Sequence, residues 1–404
     1  MPAMTSSPRF LGLALVLGLL SAIGPFAIDM YLPALPLIGQ ELGTDMQSVQ
    51  LSLTAFFVAI GFGQLVYGPA SDMLGRKPAL YFGLGLFALA SVGCALATDI
   101  HVLIALRFVQ GLGAAAGMAV PRAVVRDLHT GVDAARLMSL LMLVFSVSPI
   151  LAPLAGSAVI AWVGWRAVFW AVALAALAGM AMMVAALKET RGPDQRVQSS
   201  LGSVWRAYRH LLRDRHYLGL VAIGAFGMAG FFTYLANSSF VMIDHYGLTP
   251  TQYSLAFALN AVAFIGAAQL NGVLGQRFGL VPLVRFSATA SALLLLALLA
   301  YFAGGGDSLA VLIVLFFLAS AFMGQVIPTT AVLALEAHGE IAGTASALMG
   351  TLQMVGGAIA MALVGLVTSS HPLPMVVGMA SGGVLSLLMT WGTLGRRGTA
   401  VLAG

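Results

Sequence analysis

"GPASDMLGRKPAL", residues 68–80, and "GVLGQRFGLVPLV", residues 272–284, each follow the second apolar stretch of their half of the chain. Offset by 204 residues, Gly68 aligns with Gly272, Gly75 with Gly279 and Pro78 with Pro282. Three matches alone are few. They gain weight because both segments hold the same place in the order of apolar stretches, which marks an internal repeat. The surroundings are those of a membrane protein: 60% of the 404 residues are hydrophobic and 8% charged, where a soluble domain carries about 25% charged residues. Twelve apolar stretches can be drawn, at 10–34, 48–70, 79–97, 101–122, 137–161, 166–187, 217–242, 252–274, 281–303, 309–334, 342–368 and 373–394. Each has about the length a helix needs to cross the hydrocarbon core. They are too long, and too apolar all round, for barrel strands.

The expected fold is therefore an all-α membrane protein of two six-helix halves, 1–187 and 217–404, joined by a polar linker at 188–216. Of the 19 Lys and Arg residues, 17 fall on one side of this scheme, Arg166 falls on the other and Arg107 lies inside a helix. Basic residues collect on the cytoplasmic side, so both termini are expected there. The net charge of +5 then reflects topology, and no compact basic domain exists to hold nucleic acid. The start, "MPAMTSSPRFLGLALVLGLL", reads as the first membrane helix, since the apolar run continues past Phe26 and is too long for a cleaved signal. The single cysteine, Cys94, has no intrachain partner. Within the linker, Trp205, Tyr208, Leu211 and Leu212 among five basic residues suit either an amphipathic helix on the inner leaflet or a solvated connection with one apolar side.

Several motifs now make the chain resemble a known family. "GPASDMLGRKPAL" is similar to the helix 2–3 loop motif of the major facilitator superfamily, with Gly68, Asp72, Gly75, Arg76 and Lys77 in place. "RFVQGLGAA", 107–115, resembles the helix 4 motif of its proton-coupled members. With "IDMYLPALP", "RAVVRDL" at 122–128, "GWRAVF" at 164–169, "KET" at 188–190 and "GTASALMG" at 343–350, the chain looks like the bicyclomycin/chloramphenicol-resistance (Bcr/CflA) branch of drug:proton antiporters. The resemblance implies a monomeric, proton-coupled exporter of small apolar or amphipathic compounds in the inner membrane, working by alternating access. The helix 5 motif departs from the antiporter pattern: "APLAGS", 152–157, keeps Pro153 and Gly156 but has Ala152 and Ser157 in place of two glycines.

Residue chemistry assigns candidate roles. Asp29 is the one carboxylate well inside a stretch, where an ionised Asp costs roughly 2.5–3.5 kcal/mol. An acid that is protonated for part of a cycle avoids that cost, which suits a proton carrier; the bland alternative is an acid capping a helix at the outer interface. Arg107 lies at matching depth and is expected to pair with Asp29 or, alternatively, to bond backbone carbonyls and Gln110. Asp72 is expected to latch onto the start of helix 11, Gly68 to let helix 2 approach a neighbour, and Pro149, Pro153 and Gly156 to bend helix 5. Tyr31, Phe232, Tyr234 and Asn237 are candidate substrate contacts; for the helix 7 residues the alternative is aromatic packing.

Rival classes fare less well. The seven histidines are scattered, with no HExxH, paired acids or phosphate-binding loop, so no enzyme, cofactor or metal is expected. A channel fits the repeated halves less well than alternating access does. An exporter of one specific endogenous metabolite remains the alternative to a drug exporter.

Overall fold

The computed structural model describes residues 8–129, 131–191, 201–367 and 369–395. Arg196, Arg396 and Arg397, three of the cations used to orient the chain, lie outside the described residues, as does the linker stretch 192–200. Among the described residues, twelve helices are long and apolar enough to cross a membrane.

The first span is composite. Helix α1 (Pro8–Asp29) gives way to a 3-10 turn at Leu32–Ala34 and resumes as α2 (Leu35–Glu41). Pro33 and Pro36 explain the break, because proline lacks an N–H and suits only the first turn of a helix. The rest of the first half is α3 (Met46–Leu74), α4 (Arg76–Leu96), α5 (Ile100–Leu128), α6 (Gly131–Val163) and α7 (Arg166–Ala186). Asp45 and Asp99 start α3 and α5 by accepting N–H bonds from Ser48 and from His101 and Val102. α6 stays helical through both Pro149 and Pro153.

Within the linker, the short α8 (Leu201–Leu211) precedes α9 (Arg215–Ser239), which widens into a π-helical stretch at Phe240–His245. Then come α10 (Pro250–Gln269), α11 (Asn271–Phe278), α12 (Leu280–Ala303), α13 (Leu309–Glu336), α14 (Ala342–Gly365) and α15 (Pro372–Leu394). The stretch expected as one helix at 252–274 is thus divided at Leu270 between α10 and α11.

Alternating helix direction sorts the connections onto two faces. The near face, where α1 starts and α15 ends, gathers Arg76, Asp127 and Glu189. The far face gathers Glu41 with Arg166 at 2.8 Å, and His245 with Asp307 at 2.9 Å. α5 is the close-packed centre of the first half, lying against α1, α3 and α4. A side chain at Gly113 would collide with the backbone of Gly83 and Phe87 on α4. Two helix pairs form the seam between the halves, α3 with α14 and α6 with α10. Thr351 Oγ1 donates to the Gly61 carbonyl at 2.9 Å, and Ser254 Oγ to the Pro153 carbonyl at 2.9 Å.

Candidate functional site

Asp29 lies 17 residues past Gly12 and 12 before Glu41, the ends of its span, and is 6% exposed. It is inside the span, at the end of α1. Among the described residues, every other acid in a span lies within three residues of that span's end. Its carboxylate accepts a long bond, 3.5 Å, from Ser148 Oγ on α6.

Arg107 is fully buried but is not the partner of Asp29. Among the described residues no ion pair joins them. Arg107 Nη1 donates to Gln110 Oε1 at 2.6 Å and to the Ala27 carbonyl at 3.4 Å. Its guanidinium carbon lies 4.1 Å from the centre of the Phe56 ring and 4.5 Å from that of Tyr31, a desolvated cation–π box. The expected pair fails on azimuth rather than depth. Ala27 and Tyr31, four residues apart, share the face of the first span that meets Arg107. Asp29, two residues from each, is turned about 200° away at 100° per residue, toward α6. The alternative raised above, backbone carbonyl plus Gln110, describes Arg107 as it stands. Gln110 in turn donates to Ser91 Oγ at 2.7 Å, which ties the charge to α4.

The four candidate substrate contacts divide. Tyr31 belongs to the core of the first half, its hydroxyl 2.7 Å from Ser52 Oγ. Tyr234 belongs to that of the second, packed on Phe316 at 4.2 Å and accepting from Asn260 Nδ2 at 3.1 Å. Phe232 and Asn237 are on the seam: Phe232 stacks on Phe57 of α3 at 4.3 Å, and Asn237 Oδ1 accepts from Gln50 Nε2 at 2.9 Å. Gly156 is a point of contact within the first half, where a Cβ would collide with the backbone of Met30.

The loop motif builds a charge cluster on the near face. Arg76 is 3% exposed; it meets Asp72 and Asp127 at 2.7 Å each and donates to Ser71 Oγ at 2.6 Å. Glu189 receives the N–H groups of Arg76 and Lys77, at 2.9 and 3.0 Å, and so caps α4 from the linker side. Burial acts to raise the Glu189 carboxyl, but the N–H groups of Arg191, Arg76, Lys77 and Thr190 outweigh it and hold it below its ordinary range. Lys77 Nζ donates to the Leu187 carbonyl at 2.7 Å. Two expectations are corrected here. Asp72 is engaged by Arg76 and by Arg191 at 3.4 Å, not by the start of α14. Gly68 faces open space, with nothing within 4 Å of a built Cβ, so it is no close-approach glycine.

Asp127, Glu189 and Arg191 received no role from the sequence, although "RAVVRDL" and "KET" stood out as motifs. Their uncommon density of charge beside apolar spans was the available signal. Gln50 and Ser148 carried none.

The sequence model of the Major Facilitator Superfamily matches residues 17–361 and again 226–400. The chain is 36% identical over 95% of its length to an uncharacterized MFS-type transporter, YdgK, of Bacillus subtilis, covering 95% of that protein. It is 31% identical over 93% of its length to a bicyclomycin resistance protein homolog of Haemophilus influenzae, covering 94% of it. A partially occluded inward-open structure of the Escherichia coli xylose transporter XylE superposes with a TM-score of 0.72 at 16% identity, over 96% of this chain and 98% of that one. At such identity the likeness speaks for the fold alone. The chain belongs to the Major Facilitator Superfamily, in its bicyclomycin/chloramphenicol-resistance branch, and is a membrane transporter rather than an enzyme.

Proposed function

We propose that this protein exports small apolar or amphipathic drugs across the inner membrane in exchange for protons, as a monomer working by alternating access. Residues 1–187 and 217–404 are the two moving bundles, and 188–216 is a cytoplasmic linker. Both termini face the cytoplasm, as the placement of Lys and Arg supports. The name of the bicyclomycin resistance homolog supports the drug class.

The observation that carries the reading is Asp29, a lone carboxylate in the interior of a span with one long hydrogen bond to Ser148. A buried carboxylate with so little compensation is far costlier than a carboxylic acid. Proton entry from the outer side neutralises Asp29 and favours release of drug outward; proton loss to the cytoplasm accompanies loading. Arg107 holds the opposite face of the first span through Ala27 and Tyr31, and so positions Asp29 and supplies a fixed positive charge behind it. Phe232 and Asn237 contact the substrate when the seam opens, and Tyr31 and Tyr234 set the shape of the walls. The near-face cluster of Asp72, Arg76 and Lys77, after Gly68 and Gly75, is the conformational switch.

The test is drug accumulation in everted vesicles under an imposed pH gradient, with drug binding measured separately. Asp29→Asn mimics the protonated state. It inserts and binds a neutral drug but accumulates it at less than about a tenth of the wild-type rate, the size of effect expected for a group that carries the coupling. Accumulation at the wild-type rate would remove Asp29 from the coupling role.

A further inference from the structure

We infer that Gln50 is a gating residue: its amide clasps α9 across the seam and holds the far face shut. Gln50 sits four residues past the start of α3 and is 2% exposed. Its Nε2 donates to Asn237 Oδ1 at 2.9 Å and to the Ala236 carbonyl at 3.3 Å. The Asn237 amide is itself oriented, because its Nδ2 donates to the Thr233 carbonyl at 2.8 Å and leaves its oxygen aimed at Gln50. At the end of α14, a Cβ on Gly365 would lie 3.3 Å from Gln50 Oε1, so the glutamine is flanked by two helices of the second half. Toward mid-span, the stacked Phe57 and Phe232 rings continue the same closure with apolar surface. Just beyond Asn237, α9 widens into its π-helical stretch, a distortion found often at functional sites.

These facts make the clasp two-state. Closed, the Gln50 Nε2 donor and the Asn237 Oδ1 acceptor satisfy one another in a dry seam. Half-open, that donor and that acceptor lose this bond before water can replace it, which is costly. Fully open, water satisfies both. The clasp therefore sharpens the far face into shut or open and sets how often it opens. Its role in export rests on the proposed transport reading, but its existence does not require a substrate.

The test uses the full chain in detergent with Cys94→Ser and a reporter, Thr54→Cys, one turn from Gln50 on the same face of α3. The rate of maleimide labelling reads the open population. Gln50→Met keeps the shape of the side chain and removes its donor; Asn237→Leu removes the acceptor. Each raises the labelling rate about five-fold, the worth of one buried hydrogen bond, while Gln64→Met on the same helix leaves it unchanged. The double variant labels no faster than either single one. In drug export, Gln50→Met changes the maximal rate and leaves the half-saturating concentration in place. Wild-type labelling by a folded Gln50→Met protein, or a double effect equal to the product of the single ones, overturns the clasp. If the wild type exports no drug, the transport reading falls while the labelling result still decides the clasp.

Discussion

The two copies of the repeated loop share a backbone and differ in everything attached to it. Gly75, at φ 106° and ψ 157°, and Gly279, at φ 84° and ψ 152°, make the same turn into α4 and α12. The first copy is then pinned: Arg76 reaches Asp72 and Asp127, and Glu189 caps the helix behind it. In the second copy Gln276 stands where Asp72 does and Leu280 where Arg76 does. Just before this copy, Asn271 Nδ2 donates to the Gly324 carbonyl at 3.3 Å. A repeated turn thus supplies geometry to both halves, while charge fastens only one of them to its neighbours. Ion pairs and a helix cap fasten the near face of the first half, and the second copy carries neither the acid nor the arginine that would do the same.

The sharpest way to break this comparison is to remove the pin. Arg76→Ala takes the nearest cation from a mostly buried Asp127, 13% exposed, and from Asp72, and leaves both to Arg191 at 3.8 and 3.4 Å. Breaking a buried pair costs about 3–5 kcal/mol when nothing replaces the lost partner; with Arg191 still close the loss is smaller, yet above the about 1 kcal/mol of Leu280→Ala on a partly exposed surface. Thermal unfolding in detergent should show the larger loss for the first and the smaller one for the second. Equal losses would mean that the charges add no asymmetry.

A middle-sized effect tests what the copies share. Gly75→Ala and Gly279→Ala each force a side chain into backbone that only glycine adopts readily, at about 1–3 kcal/mol. The two losses should match within error. A much larger loss at Gly75 would place the asymmetry in the backbone itself.

The smallest effect concerns Glu189 and pH. Its carboxyl is held low in the folded protein by the N–H groups around it. That contribution is fully present above the unfolded value of about 4.3 and is lost as pH falls through the folded value. The wild-type melting temperature should therefore fall on acidification below about pH 4.3. Glu189→Gln should start slightly lower at neutral pH and show a shallower acid limb. An unchanged limb would show that Glu189 caps α4 without charge mattering.

How much was legible in advance depended on the range of the interaction. The twelve spans were readable because a helix in lipid must be long, apolar and internally bonded, and each is present, its bounds differing from the expected ones by up to seven residues. The internal break at Leu270 escaped, although Asn271-Gly272 is a turn signal and Gly275 a poor helix former, because the apolar run continues across them. The prolines of α6 leave its helix unbroken. Asp29 was singled out on polarity alone, and its burial agrees with that reading.

From the residues alone followed the class, the number of spans, the repeat and the identity of the one deep carboxylate, because each of these is a matter of local composition and periodicity. Tertiary structure decided the partners. It turned Asp29 toward Ser148 and enclosed Arg107 between aromatic rings, a matter of helix azimuth. It also brought Glu189 to α4 across 113 positions of sequence and Gln50 to Asn237 across 187. A hydrogen bond is set by angle and by a few tenths of an ångström, and over such separations only the packed fold supplies both.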